Sequence, residues 1–246
     1  MKIMFMGTPD FAVECLKSLM IAGHEIVSVV TTPDKPRGRG HKMCPTQVGE
    51  FAYENNLKVY KPINLKKENF EEILRSENPD VIIVVAYGKI LPPYVLEYPK
   101  YGCINVHASL LPKYRGAAPI QRSIIDGDTL TGVTTMYMAE GLDTGDMLLK
   151  SEVSIENDDN FETLHDKLAT NGAKLIVETL IELQNGTLKP QKQDDSKSCY
   201  AHMITKETAL IDWSKNALEI HNLVRGLFPV PKAFTFYNGK MLKICR

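Results

Sequence analysis

In the stretch GCINVHASLLP, residues 102–112, Asn105 and His107 stand two positions apart inside an apolar run. A strand places residues i and i+2 on one face, so the two side chains project together while Val106 turns the other way. Downstream, GLDTGD sets Asp143 between Gly141 and Gly145. So tight a turn suits either a carboxylate bonding its own backbone or one pushed into a cleft. Asn, His and Asp together supply an amide donor for a developing oxyanion, a group able to serve as base, acid or electrostatic stabiliser, and a carboxylate able to fix an imidazole's tautomer and orientation. No nucleophile is among them. Ser109 is nearby, but SLLP is not a nucleophile elbow, and no G-x-S-x-G occurs in the chain. Transfer of a group to a nucleophile carried by a substrate is therefore the expected chemistry.

The elements that must hold these residues are legible in the periodicity. Residues 2–6 read as a buried strand; Thr8 reads as an N-cap, with Pro9 at the first helical position and Asp10 near the positive end of the dipole. Phe11, Cys15, Leu16 and Leu19 form a helical stripe that Gly23 ends, and 26–30 give a second strand, which makes a βαβ opening. Only Gly7 occupies the first turn, so the G-x-G-x-x-G cradle for a dinucleotide pyrophosphate is missing and NAD is not expected. Residues 31–46, rich in Pro and carrying Lys35, Arg37, Arg39, His41 and Lys42, read as a long loop.

Residues 70–75 look helical, and DVIIVVAYG is a β-branched run of the type buried on both faces in a parallel sheet. Short strands are expected at 103–107 and 133–138, a less regular one at 147–153, and a long amphipathic helix at 161–184. The fold class is α/β, a doubly wound, Rossmann-like, mostly parallel sheet, whose ligands bind in the crevice beyond the carboxyl ends of the strands. This first domain is assigned to residues 1–186. Residues 187–198, polar and without apolar periodicity, read as a linker. A second unit, 199–246, begins with a helix that Ser214 can cap and that Gly226 ends, followed by a hairpin turning on Asn238-Gly239. One hairpin is marginal alone, so this unit reads as an incomplete β-barrel-type domain.

Composition bounds the function classes. With 246 residues, 43% hydrophobic and 24% charged, the chain has the make-up of a soluble globular protein. Five scattered cysteines with no C-x-x-C point to neither a disulfide framework nor a zinc site, and no targeting or membrane segment is visible, so a reducing cytoplasm is expected. No metal is expected. The net charge of −1 hides an asymmetry, because residues 199–246 carry seven Lys/Arg against three Asp/Glu. That excess suits a polyanionic partner, or simply a solvated basic face.

The stretches GTPDFAV, PDKPRGRG, VVAYGKILP, GCINVHASLLPKYRGAAPIQR and GLDTGD resemble, in order, the signature stretches of the formyltransferases that use 10-formyltetrahydrofolate. The resemblance covers nearly the whole first domain. It implies that Asn105 bonds the formyl oxygen, that His107 stabilises the oxyanion and helps move protons, and that Asp143 orients His107. It also implies a folate with its pterin against the backbone of Ala86, Tyr87 and Gly88 and its remainder near Ser109, Leu110, Leu111 and Pro112. GTPDF and RGAAP resemble the members whose acceptor is the α-amine of methionine on initiator tRNA. For these the loop with Arg37, Arg39 and Lys42 is implied to reach the tRNA, and the second domain to be an oligonucleotide-binding-type barrel that grips it. A monomer is the expected state. The alternatives are a sugar-nucleotide N-formyltransferase, a hydrolase releasing formate to water, and a non-catalytic folate- or RNA-binding module. Formyl release separates them, since a module retains the donor unchanged and only a transferase requires an acceptor.

Overall fold

Ile3 and Phe5 point to one side of the first strand and Met4 and Met6 to the other, and all four are fully buried, so this strand must lie inside a sheet covered on both faces. A computed structural model describes residues 1–37 and 42–245. In chain order its elements are β1 (Lys2–Gly7), α1 (Asp10–Ile21), β2 (Glu25–Val30), β3 (Lys35–Arg37), β4 (Lys42–Cys44), α2 (Gln47–Glu54), β5 (Val59–Tyr60), α3 (Lys67–Glu77), β6 (Val81–Val85), α4 (Pro93–Leu96), β7 (Cys103–His107), β8 (Arg115–Gly116), α5 (Pro119–Ile125), β9 (Leu130–Tyr137), β10 (Met147–Ser154) and α6 (Phe161–Asn185). β11 (Tyr200–Ala201), α7 (Lys206–Ala209), α8 (Ala217–Gly226), β12 (Ala233–Tyr237) and β13 (Lys240–Ile244) follow.

Among the described residues, seven strands form the main sheet in the order β10-β9-β7-β6-β1-β2-β5. The five from β5 to β7 are parallel, and β9 runs antiparallel to both β7 and β10. Because the chain winds outward from β1 first to β2 and β5 and then to β6 and β7, the strand order reverses between β1 and β6, where a crevice opens at the carboxyl ends. The sheet is doubly wound, as the sequence implied. One face is covered by α1 and α6, whose Phe11, Leu16, Leu19, Leu164, Leu168 and Ile176 pack on Phe5, Ile83, Ile104 and Val106; the other is covered through Phe70, Leu74 and Val95.

Helix α6 is fixed at both ends by local chemistry. Asn160 Oδ1 accepts the backbone N–H groups of Glu162 and Thr163, Thr163 Oγ1 answers by accepting the Asn160 N–H, and Gly186 ends the helix at φ +69°. Asn160→Ala is expected to lower stability by about 1 kcal/mol, read as a shift in the denaturation midpoint at unchanged slope.

Three local expectations are corrected. Thr8 does not cap α1: Pro9 is the N-cap residue, and the Thr8 hydroxyl instead donates across the crevice to the Tyr87 carbonyl at 3.1 Å. Asn216, not Ser214, caps α8, in a capping box with Glu219, while the Ser214 hydroxyl donates to Asp212. The stretch 31–46 is not all loop, since β3 and β4 pair antiparallel with Arg37 facing Lys42. Arg39 lies outside the described residues.

In the second unit, Ala209, Ile211, Val224, Leu227 and Ala233 form a small core, and the β12–β13 hairpin turns on Asn238 and Gly239, both at positive φ. Helix α8 packs on α5, and Arg225 donates to the backbone carbonyls of Glu156 and Asp159 at 3.0 and 2.9 Å. No helix among the described residues is long and apolar enough to cross a membrane.

Candidate active site

β7 lies between β6 and β9, with Asn105 opposite Val84 on one side and Met136 on the other. Ile104 and Val106 join the α1/α6 core, so Asn105 and His107 share the opposite face, as their spacing requires. Asn105 is half-buried, and its side-chain amide makes no hydrogen bond to any described residue. His107 is buried; its Nε2 lies 2.8 Å from the Tyr114 carbonyl. A carbonyl only accepts, so Nε2 carries a proton and Nδ1 is the ring atom turned toward Asp143. The Asp143 Oδ2 stands 3.7 Å from Nδ1 and accepts the Gly116 N–H at 2.8 Å.

His107 and Asp143 thus stand side by side, with Asn105 on the same face of β7 as His107, and the hydrogen bond that holds the ring comes from the backbone. The Tyr114 carbonyl, not Asp143, fixes the tautomer and ring orientation. At 3.7 Å the carboxylate acts on His107 through charge rather than through a hydrogen bond. Asp143 itself sits at φ +50° in the turn between its two flanking glycines.

The loop after β7 is held from behind. Ser109 Oγ donates to the Lys113 carbonyl at 2.6 Å, which removes it as a nucleophile. Thr134 Oγ1 donates to the Ser109 carbonyl and accepts the Leu111 N–H, and Lys150 Nζ donates to the Leu111 carbonyl. Burial lowers the Lys150 pKa below the ordinary lysine value. Leu111 is buried against Met136 and Met147, so of the residues expected near folate Ser109 and Leu111 turn their side chains inward, while Leu110 and Pro112 stay partly exposed. At the end of β6, Ala86 and Gly88 are exposed at positive φ, whereas the Tyr87 ring is buried in the opposite core. Burial pushes its phenol up to about 12. The Tyr114 phenol is raised as well, first by burial and then by Asp128, whose carboxylate accepts its hydroxyl at 2.9 Å.

Three partners of this site escaped the sequence: the Tyr114 carbonyl, the Gly116 amide and Gln193. Gly116 lies at φ +116° in RGAAP, a glycine that could have been read as a special backbone position. Gln193 gave no signal. It lies in the stretch read as a linker, 187–198, and it is buried; its Nε2 donates to the carbonyls of Asp143 and Gly145 at 2.8 and 2.7 Å, and its Oε1 accepts Arg115 Nε at 2.9 Å.

Residues 1–180 match the protein family described as formyl transferase, and residues 203–246 match the formyl transferase C-terminal domain. The chain belongs to the formyl transferase family. Among its relatives, the methionyl-tRNA formyltransferase of Caldanaerobacter subterraneus subsp. tengcongensis is 56% identical over 99% of this chain and 79% of its own length. That of Clostridium novyi is 55% identical over the same shares. Among solved structures, an N-formyltransferase from Helicobacter canadensis, in complex with folinic acid and dTDP-3-aminofucose, superposes with a TM-score of 0.76 at 22% identity. The likeness covers 100% of this chain and 86% of that one, and it shows that this formyl transferase shares the fold.

Proposed function

We propose that the chain transfers the formyl group of 10-formyltetrahydrofolate to the α-amine of methionine carried by initiator tRNA. The observation that carries the reading is the convergence of Asn105, His107 and Asp143 at the crevice end of β7, in a chain 56% identical to an enzyme of that name. The crevice suits a folate: the exposed backbone at Ala86 and Gly88 offers an edge to a pterin, and an added Cβ at Gly88 would meet nothing within 4 Å, so the approach is open. Leu110 and Pro112 are the partly exposed residues available to the rest of the molecule. Bound there, the folate supplies an activated formyl group.

The chain's residues then have distinct tasks. The unpartnered Asn105 amide donates to the formyl oxygen as charge gathers on it during attack by the amine. His107, its Nε2 held by Tyr114, presents Nδ1 on the Asp143 side of the crevice. There it can take a proton from the attacking ammonium centre, stabilise the oxygen's charge, and return the proton to the folate nitrogen as the formyl carbon–nitrogen bond breaks and tetrahydrofolate leaves. Asp143, kept in place by the Gly116 N–H, sets its carboxylate 3.7 Å from Nδ1, beside the atom that handles the proton during transfer. The amine has a reference pKa of roughly 7.7 to 8.0, so part of it is already neutral at pH 7 and no protein nucleophile is required.

The test is transfer of labelled formyl from 10-formyltetrahydrofolate to methionyl-tRNA, with an amino-sugar nucleotide as a parallel acceptor. Formylated tRNA is the expected product; label on the sugar alone overturns the acceptor, and formate released without any acceptor makes the chain a hydrolase. The reading extends to the segment bearing Arg37, Arg39 and Lys42 as a contact for the acceptor end. Phosphate contacts position nucleic acid and weaken with salt. Arg39→Ala is expected to raise KM for charged tRNA roughly three- to tenfold, to flatten its salt dependence by about one charge, and to leave folate affinity unchanged. Equal loss for both substrates would contradict that role.

A further inference from the structure

Asp143 is placed by a residue 50 positions away in sequence, in the stretch that composition marks as a tether. The segment is docked at both ends. Gln191 exchanges two backbone bonds with Met147 at 2.8 Å each, and Cys199 and Ala201 accept the N–H groups of Arg115 and Ala117, each at 2.9 Å. Gln193 sits between these anchors, 6% exposed. Its one planar amide satisfies three partners: the carbonyls of Asp143 and Gly145, on the turn that carries the carboxylate, and Arg115 Nε. Arg115 adjoins Gly116, whose N–H binds that same carboxylate, and its guanidinium is further held by Asp195 at 2.7 Å. The Gln193 amide therefore closes a ring through Arg115, Gly116 and Asp143.

We infer that Gln193 is a positioning residue for formyl transfer: its amide sets the distance between Asp143 and His107. The inference rests on the role proposed above for Asp143 and names the group that keeps it there. The side chain must donate twice and accept once, which only an amide does. Glu offers no donor when ionised beside Arg115, and Asn is a methylene shorter. Outer partners that orient metal ligands typically contribute ten- to a hundredfold to activity, and a partner that holds a carboxylate from behind is expected to act on the same scale.

The experiment is a double-mutant cycle in the full chain, read as kcat and KM for formyl transfer to methionyl-tRNA together with the folate dissociation constant. Gln193→Leu is expected to lower kcat about ten- to a hundredfold, with KM and folate affinity within about twofold of the parent. In the Asp143→Asn background the same substitution is expected to remove less than about threefold more, because the group it positions is already disabled. A general structural defect would add in full to Asp143→Asn, and that result, or a Gln193→Leu kcat within twofold of the parent, would overturn the inference. An Asp143→Asn enzyme with undiminished kcat sinks the role of Asp143 and the inference with it. Should Gln193→Leu not fold, Gln193→Glu keeps the shape and the bond to Arg115 but loses both donations to the turn, and is expected to show the same kcat loss. Hydrogen exchange at the Gly116 amide gives a reading free of turnover: it should quicken about tenfold in either variant while core amides keep their protection. An unchanged Gly116 rate counts against the inference as firmly as an unchanged kcat.

Discussion

Asn105→Ala should reduce kcat for formyl transfer by on the order of a hundredfold or more, since one preorganised oxyanion donor is commonly worth about 3 to 4 kcal/mol. The fold gives this substitution an unusually clean reading. The Asn105 amide has no partner among the described residues and is only half-buried, so truncating it orphans no protein group and opens no core cavity. Thermal stability should stay within about 0.5 kcal/mol of the parent. Folate affinity should change little, because the bond gains its strength only as charge develops on the formyl oxygen. Asn105→Asp should be at least as damaging, as it sets a second negative charge against the developing oxyanion. Single-turnover transfer alongside a folate titration makes the measurement. An Asn105→Ala enzyme that turns over within about fivefold of the parent removes the amide from the reaction.

Gly145→Ala should damage both activity and stability. A Cβ at this position would lie 1.8 Å from the Tyr137 carbonyl oxygen and 2.8 Å from its carbon, so the clash is with backbone and no rotamer change relieves it. That backbone has little freedom, since the Tyr137 N–H is bonded to the Asp146 carbonyl at 2.9 Å and the Met138 N–H to the Cys103 carbonyl at 2.8 Å. The turn must therefore move, and Asp143 moves with it, away from His107. The expected results are a kcat loss of on the order of a hundredfold and a destabilisation of about 3 kcal/mol or more, roughly a 6–12 °C drop in Tm for a chain of this size. Gly141→Ala is the internal control. Its added Cβ meets the Thr144 side chain, at 2.4 Å from Oγ1, and a side chain can rotate away, so the effect should be several-fold smaller. If the two alanine variants behave alike, the backbone clash is not what sets the turn.

What could be read from the sequence follows how local each determinant is. The buried strand at Val81–Val85, the pairing of Asn105 with His107, and the Asn238-Gly239 hairpin depend on period-two side-chain geometry or on turn residues, which neighbours in sequence decide. Thr8 and Ser214 were misread because a hydroxyl able to cap can also bond elsewhere: Thr8 is claimed by Tyr87, 79 positions away, and Ser214 by Asp212. At β3 and β4 the prolines masked a short pairing that places Pro36 opposite Met43. Most of all, Gln193 could not be recognised. A single amide in a polar stretch carries no periodicity, and its three partners lie 48 to 78 positions away. In the site, the catalytic candidates could be read because strand spacing brings two of them together, whereas the groups that hold them come from remote turns.

Elsewhere among the described residues, left-handed backbone outside glycine falls mostly to residues that tolerate it, Asn56 and Asn78 where helices end and Asn238 in the hairpin, with Lys232 just before β12 as the exception. Around the crevice it falls to Ala86 at φ +46° and Tyr114 at φ +60°, one beside the expected pterin edge and the other carrying the carbonyl that holds His107. Conformations of this kind raise the energy of the native state by about 1–2 kcal/mol each and persist only because the sheet behind them is over-determined. Fitness for the reaction and robustness to heat thus compete for the same few residues. On warming, this rim should relax ahead of the sheet, and the protein should fall silent while most of its structure is still standing.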